Sequence, residues 1–236
     1  MFGDRAGAAA SAKRGVDLAD ELIATKSTPQ LINLRVLLVG QYGKALSELG
    51  LAEWPEAQKQ LRRALDLATQ LYHADTANRL AFGNYIYEKQ HLGAALAAHR
   101  DARGIDVLLE ARREVANSAS QEADGEQAHL LNGVNGSLSD AWLRSDPRLA
   151  IEAADAALKY DDAVLKESPS DAQALQDRAA MLVNQAEAHR ALKQDAGPSI
   201  ESARAAVDAL RAHSPALGHL AEMTKRLEKL LRGSIE

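Results

Sequence analysis

The chain has no cysteine, which excludes disulfides, thiolate nucleophiles and cysteine-ligated metals together. Aromatic residues make up only 4%, and the strand formers Val, Ile, Tyr, Phe and Thr never alternate over a useful length, so no β-sheet is expected. Only six prolines occur in 236 residues, and none interrupts an apolar period. No apolar run approaches the roughly 20 residues needed to cross a bilayer. The start, Met1-Phe2-Gly3-Asp4-Arg5, has an early acid and no apolar core, so it does not read as a secretory signal. A dominant charge is missing too. The 28 basic and 33 acidic residues give a net charge of −5, and no basic stripe emerges that would suit nucleic acid. These absences predict a soluble cytoplasmic protein with neither a nucleic-acid nor a membrane partner.

What is abundant is alanine and leucine, 47 and 34 residues. Both are strong helix formers. A short signature recurs near the end of successive apolar runs: Arg14-Gly15-Val16-Asp17, Arg63-Ala64-Leu65-Asp66, Arg103-Gly104-Ile105-Asp106, Ala156-Ala157-Leu158-Lys159 and Ala205-Ala206-Val207-Asp208. From Gly15 to Ala64, Gly104, Ala157 and Ala206 the intervals are 49, 40, 53 and 49 residues. A unit of about 40–50 residues is the mark of stacked helical repeats. Punctuation places ten helices near 5–25, 29–50, 54–73, 76–91, 93–117, 122–145, 147–167, 171–193, 198–212 and 215–232. Thr28-Pro29, Asp146-Pro147 and Ser214-Pro215 each read as a capping residue followed by proline at the first helical position. Short connections force neighbours to run antiparallel. The second helix carries two apolar stripes and needs cover on two sides, whereas the third, with Ala57, Leu61, Ala64, Leu65 and Ala68 on one face, needs it on one.

The predicted organisation is a single domain over 1–236. It comprises an incomplete repeat at 1–27, repeats at 28–75, 76–119, 120–169 and 170–213, and a capping helix at 214–236, whose charged outer face suits a terminal unit. The first helix bears the recurring signature and so looks like the second helix of a hairpin lacking its first. Either the chain is a piece of something longer, or a partner or a second copy covers that end.

Several segments resemble tetratricopeptide repeats. Leu80-Ala81-Phe82-Gly83-Asn84-Tyr85-Ile86-Tyr87, then Leu92-Gly93-Ala94-Ala95-Leu96 and Ala102, is similar to that family's large–Gly pair and its small residues in the second helix. Gly43, Leu46, Leu49-Gly50, Glu56-Ala57, Leu61 and Ala64 form a second copy. Asp146-Pro147, Ala150, Ala154 and Ala157 form a third, and Ala186, Ala203 and Ala206 a fourth. The unit here is longer than the family's standard 34 residues. The resemblance implies an all-α, right-handed superhelix whose concave groove is lined by the first helix of each pair. Aligned groove positions are Lys44, Glu48, Asn84, Tyr87, Glu88, Trp142 and Arg190. Tyr87 and Trp142 stand out, because large aromatics dominate binding hot spots; either could instead fill the space between hairpins. In texture the chain also resembles repeat regions attached to some bacterial serine/threonine protein kinases.

Little in the sequence points to chemistry. The seven histidines form no i, i+4 pair and no HExxH, so no metal site is expected, and no cofactor is implied. Asp161-Asp162 and Glu21 read as solvated acids, since adjacent residues on a helix point apart. Asn132-Gly133-Val134-Asn135-Gly136-Ser137 opposes helix locally but lacks GxxxxGK[ST], and a loosened or kinked helix packed closely on its neighbour is the expectation. No GxSxG occurs. The sequence therefore predicts a non-catalytic protein–protein interaction module holding a peptide or helix, with self-association through the open N-terminal end as a further expectation. The alternative is the regulatory or sensory arm of a larger signalling enzyme.

Overall fold

A computed structural model describes residues 4–118, 125–213 and 218–232, without the side chains of residues 218 and 219. It is all-helical: α1 Arg5–Thr25, α2 Pro29–Ser47, α3 Trp54–Ala74, α4 Arg79–Ala98, α5 Arg103–Asn117, α6 Gly125–Trp142, α7 Pro147–Glu167, α8 Ala172–Ala191, α9 Gly197–His213 and α10 Gly218–Arg232. No strand occurs among the described residues. Two compact units are present, with the boundary inside α5 between Arg113 and Glu114.

In the first unit α1 packs on α2, α2 on α3 and α3 on α4, and α2 also reaches α4. In the second, α6, α7, α8, α9 and α10 each pack on the next, with further contacts from α6 to α8 and from α8 to α10. The next-but-one packing thus joins even-numbered helices. In the first unit α2 is covered by α1, α3 and α4, and α4 by α2 and α3; in the second α8 is covered by α6, α7, α9 and α10. This is why buried residues run all round α4 and α8, whereas α3 and α7 bury a single stripe.

The core is a series of seams. Val16, Val39 and Ala64 form one, and Ala9, Leu46 and Ala57 another. Leu61, Leu92 and Leu96 form a third, and Ala154, Ala157 and Met181 a fourth. A larger one joins Leu182, Val183, Ala203, Val207, Leu210 and Leu227. Burying a leucine fully, as at Leu61, stabilises by about 1.5–3 kcal/mol. The recurring small residue lies in these seams. Ala64, Ala157 and Ala206 are buried, and a Cβ at Gly15 would meet Leu38 Cδ2 at 2.9 Å.

Helix starts follow side-chain chemistry. Thr28 accepts from Leu31 N–H, Asn78 from Ala81 N–H, and Asp171 from Ala174 N–H. Asp146 accepts from the N–H groups of Arg148 and Leu149 ahead of Pro147. Each satisfies donors that the first helical turn leaves open. Ser214-Pro215 lies outside the described residues.

One boundary differs from expectation. The sequence reading ends one helix at 91 and begins the next at 93, but α4 runs on to Ala98. Gly93 is a crossing point. A Cβ there would meet Leu108 Cγ at 2.8 Å, and one on Gly104 would lie 2.6 Å from the Gly93 carbonyl oxygen. Two glycines let the α4 and α5 backbones touch, and neither ends a helix. The break comes instead at Arg100, held at φ 63, where Asp101 N–H donates to Leu96 O and Arg100 N–H to Ala97 O. The end of α8 repeats the device. Lys193 has φ 56, Gln194 N–H donates to His189 O, and Lys193 N–H to Arg190 O. This pairing closes a helix C-terminus, here with a basic residue where glycine is usual.

A second repeat mark follows both of these turns and also precedes α7. Asp101 accepts from Arg103 N–H, Asp146 from Arg148 N–H and Asp195 from Gly197 N–H, at 3.1, 3.1 and 2.9 Å. The same aspartate-to-second-residue bond therefore reopens the chain into α5, α7 and α9. The segment around Asn132–Ser137 runs as uninterrupted α-helix within α6. Asn132 and Asn135 are buried, and Asn132 bonds to Asp161 of α7, so tertiary contacts outweigh weak local propensity there.

Candidate binding surfaces

The residues aligned to a groove fall into two groups. Lys44 and Glu48 are exposed one turn apart at the end of α2, Tyr87 is half-buried on α4, and Arg190 is half-buried on α8. Arg190 Nη1 donates to the Leu230 carbonyl of α10 at 2.7 Å. By contrast Asn84, Glu88 and Trp142 are buried. Asn84 Nδ2 donates to Asn33 Oδ1 of α2 at 3.3 Å, and the Glu88 carboxylate lies directly over Gly40 of α2. Asn84 and Glu88 thus lie against α2.

Two carboxyls are enclosed. Glu88 has Oε2 3.4 Å from His91 Nδ1, while Oε1 has no hydrogen-bond partner. Its burial pushes the carboxyl above the ordinary range. Asp161 on α7 is 0% exposed, which corrects the reading of Asp161-Asp162 as a solvated pair. Asn132 Nδ2 donates to its Oδ1 at 2.9 Å, and Oδ2 has no partner. Burial, reinforced by Asp177 and Asp162, raises it to about 7. A signal for this was present in the spacing. Ala150, Ala154, Ala157 and Asp161 follow one helical face, and Asp162 falls outside that stripe and pairs with Arg178 at 2.8 Å.

The even helices of the second unit share a polar network. Asn184 on α8 donates from Nδ2 to Ser139 Oγ at 3.1 Å and to Asp140 Oδ1 at 2.8 Å, both on α6. Ser139 Oγ donates to the Ala150 carbonyl of α7 at 3.0 Å. From α10, Arg226 Nη2 donates to Asn184 Oδ1 at 2.6 Å. The same guanidinium engages Glu187 through two bonds, Nε to Oε1 at 2.9 Å and Nη2 to Oε2 at 2.8 Å. Such bidentate pairing fixes orientation as well as charge. It ties α10 to α8 in a set register.

Beside this network lies a cleft of about 1150 Å³ formed by α8 and α10 with Arg144 from the connection after α6. Its cations are Arg144, Arg190, Lys225, Arg226, Lys229 and Arg232, and its acids Glu187, Glu222 and Glu228. Arg226 is held by Glu187, and Arg232 lies 3.6 Å from Glu228. That leaves four cations against Glu222. The sequence shows no basic cluster because these residues come from three segments, each locally mixed in charge. Their convergence is a product of the even-helix packing.

Among the described residues no group of three His, Asp or Glu side chains could hold a metal, and no helix is long and apolar enough to cross a membrane. The six described histidine side chains are exposed or half-buried. No protein-family model matches the chain, and neither a curated protein nor a solved structure matches it.

Proposed function

We propose that this chain is a non-catalytic protein–protein interaction module, an array of helix hairpins of the tetratricopeptide kind that holds a segment of another protein. The observation that carries the reading is the cleft between α8 and α10, to which both helices contribute side chains and which Arg144, just beyond the end of α6, lines as well. Repeat arrays bind through surfaces assembled in this way, one helix per unit. The recurring small residues and aspartate turns supply a scaffold on which exposed side chains vary without disturbing the seams.

The test is affinity capture from the native lysate on the immobilised chain. Retention of a defined set of proteins, stable to washing and competed by free protein, is expected. Loss of all retention, or turnover of a substrate by the purified chain, would contradict the reading. The alternative, a regulatory or sensory arm of a signalling enzyme, shares the same binding surface. Recovery of a kinase catalytic domain in the captured set would favour it.

A further inference from the structure

We infer that the cleft between α8 and α10 takes an acidic peptide segment, one that sets carboxylates on Arg144, Lys225 and Lys229. This rests on the interaction-module reading and names the chemistry of the partner. Lys225 and Lys229 are exposed on α10 at i, i+4 and so lie one turn apart on one face. Arg144 is exposed just beyond the end of α6 and lines the same space. None of the three makes an ion pair within 4.0 Å among the described residues. Arg190 adds a fourth positive charge, since its only described bond is to a neutral carbonyl. Opposing them is Glu222 alone. A chain of net charge −5 therefore gathers a local cationic excess at this cleft.

Two bland explanations account for part of this. Lys229 lies in the last turn of α10, where a cation offsets the helix dipole, and exposed lysines keep a terminal helix soluble. Neither explains Lys225 in mid-helix or Arg144 meeting them across the cleft. A nucleic-acid backbone fits less well than a peptide. Three carboxylates share the lining, and a continuous row of phosphates would run against them, whereas a peptide can place acids only where the cations stand. Opposite charges across such a surface favour encounter and choice of partner.

Fluorescence anisotropy tests the inference with a labelled twelve-residue peptide alternating Glu and Leu, its Lys–Leu counterpart, and a single-stranded RNA dodecamer. The Glu–Leu peptide should bind, and its affinity should fall as salt rises. Lys225→Glu/Lys229→Glu should weaken it by about tenfold or more, and the neutral Lys225→Gln/Lys229→Gln by a smaller factor. The control Lys13→Glu/Lys59→Glu makes the same change in net charge on the first unit and should leave binding unchanged. Equal losses in both reversed variants, preference for the Lys–Leu peptide, tighter binding of the RNA, or no binding by the wild type would overturn the inference. Capture from lysate separates the two claims. If Lys225→Glu/Lys229→Glu retains every partner of the wild type, the acidic-peptide assignment fails and the module reading stands; if the wild type captures nothing, the module reading fails as well.

Discussion

Ionising Asp161 works against the fold, and its substitution should make the chain more stable above neutral pH. The carboxyl is sealed between α6 and α7 with one oxygen bonded to Asn132 and the other unpartnered. Desolvation is the main cause of its raised pKa, and Asp177 and Asp162 oppose the charge further, against relief from Asn132 and Arg178. The folded value is about 7 against 3.8 ordinarily. Because the folded state holds this proton more tightly than the unfolded chain, stability falls as pH rises from about 4 to about 7 and stays low beyond. At about 1.4 kcal/mol per pH unit, the full cost has an upper bound of about 4 kcal/mol. Asp161→Asn keeps the shape and the acceptor for Asn132 while removing the ionisation. Urea unfolding of both proteins at pH 4.5, 6 and 8 checks this. The variant should match the wild type within about 1 kcal/mol at pH 4.5 and exceed it by roughly 2–4 kcal/mol at pH 8. A difference that does not change with pH, or a variant less stable at pH 8, would refute the reasoning.

Other substitutions separate seam from surface. Ala64→Leu and Ala157→Leu overpack crossings at fully buried positions and should each cost about 1–3 kcal/mol, whereas Arg63→Ala, at a half-exposed ion pair with Asp20, should cost under about 1 kcal/mol; equal melting shifts would count against the packing scheme. Gly104→Ala places a methyl against the Gly93 carbonyl oxygen and the Ala97 backbone and should lower the melting temperature by several degrees, while Gly125→Ala, with open space around it, should be neutral or stabilising by roughly 0.5–1 kcal/mol. Asp171→Ala removes the N-cap of α8 and should cost about 1 kcal/mol, with Asp171→Asn recovering most of it, both read by thermal unfolding.

The helix hairpins were legible because their signals are local and redundant. Proline positions, capping residues and a small residue every 40–50 positions agree on nearly every boundary. The exception at Gly93 shows where local reading ends. A glycine that stops a helix and a glycine that lets two helices touch look alike until the partner, Gly104, is placed opposite. Positive φ at Arg100 and Lys193 was invisible for the converse reason, since neither residue type advertises a left-handed turn. Burial of Asp161 could have been read from its place four residues after Ala157, but a charged side chain on an alanine stripe argues for solvent until packing overrides it. The cationic cleft lay beyond sequence reading, because Arg144, Arg190 and Lys225 are neighbours only once α6, α8 and α10 are stacked.

The central claim is that, within each unit, stability passes between adjacent helices, with no centre shared by all of them. Native-state hydrogen exchange by mass spectrometry on Ala64→Leu tests it most directly, under conditions where the wild type is fully protected. Nearest-neighbour coupling predicts faster exchange in α1 to α4 and unchanged protection in α8 to α10. Acceleration of equal size throughout the chain would contradict it.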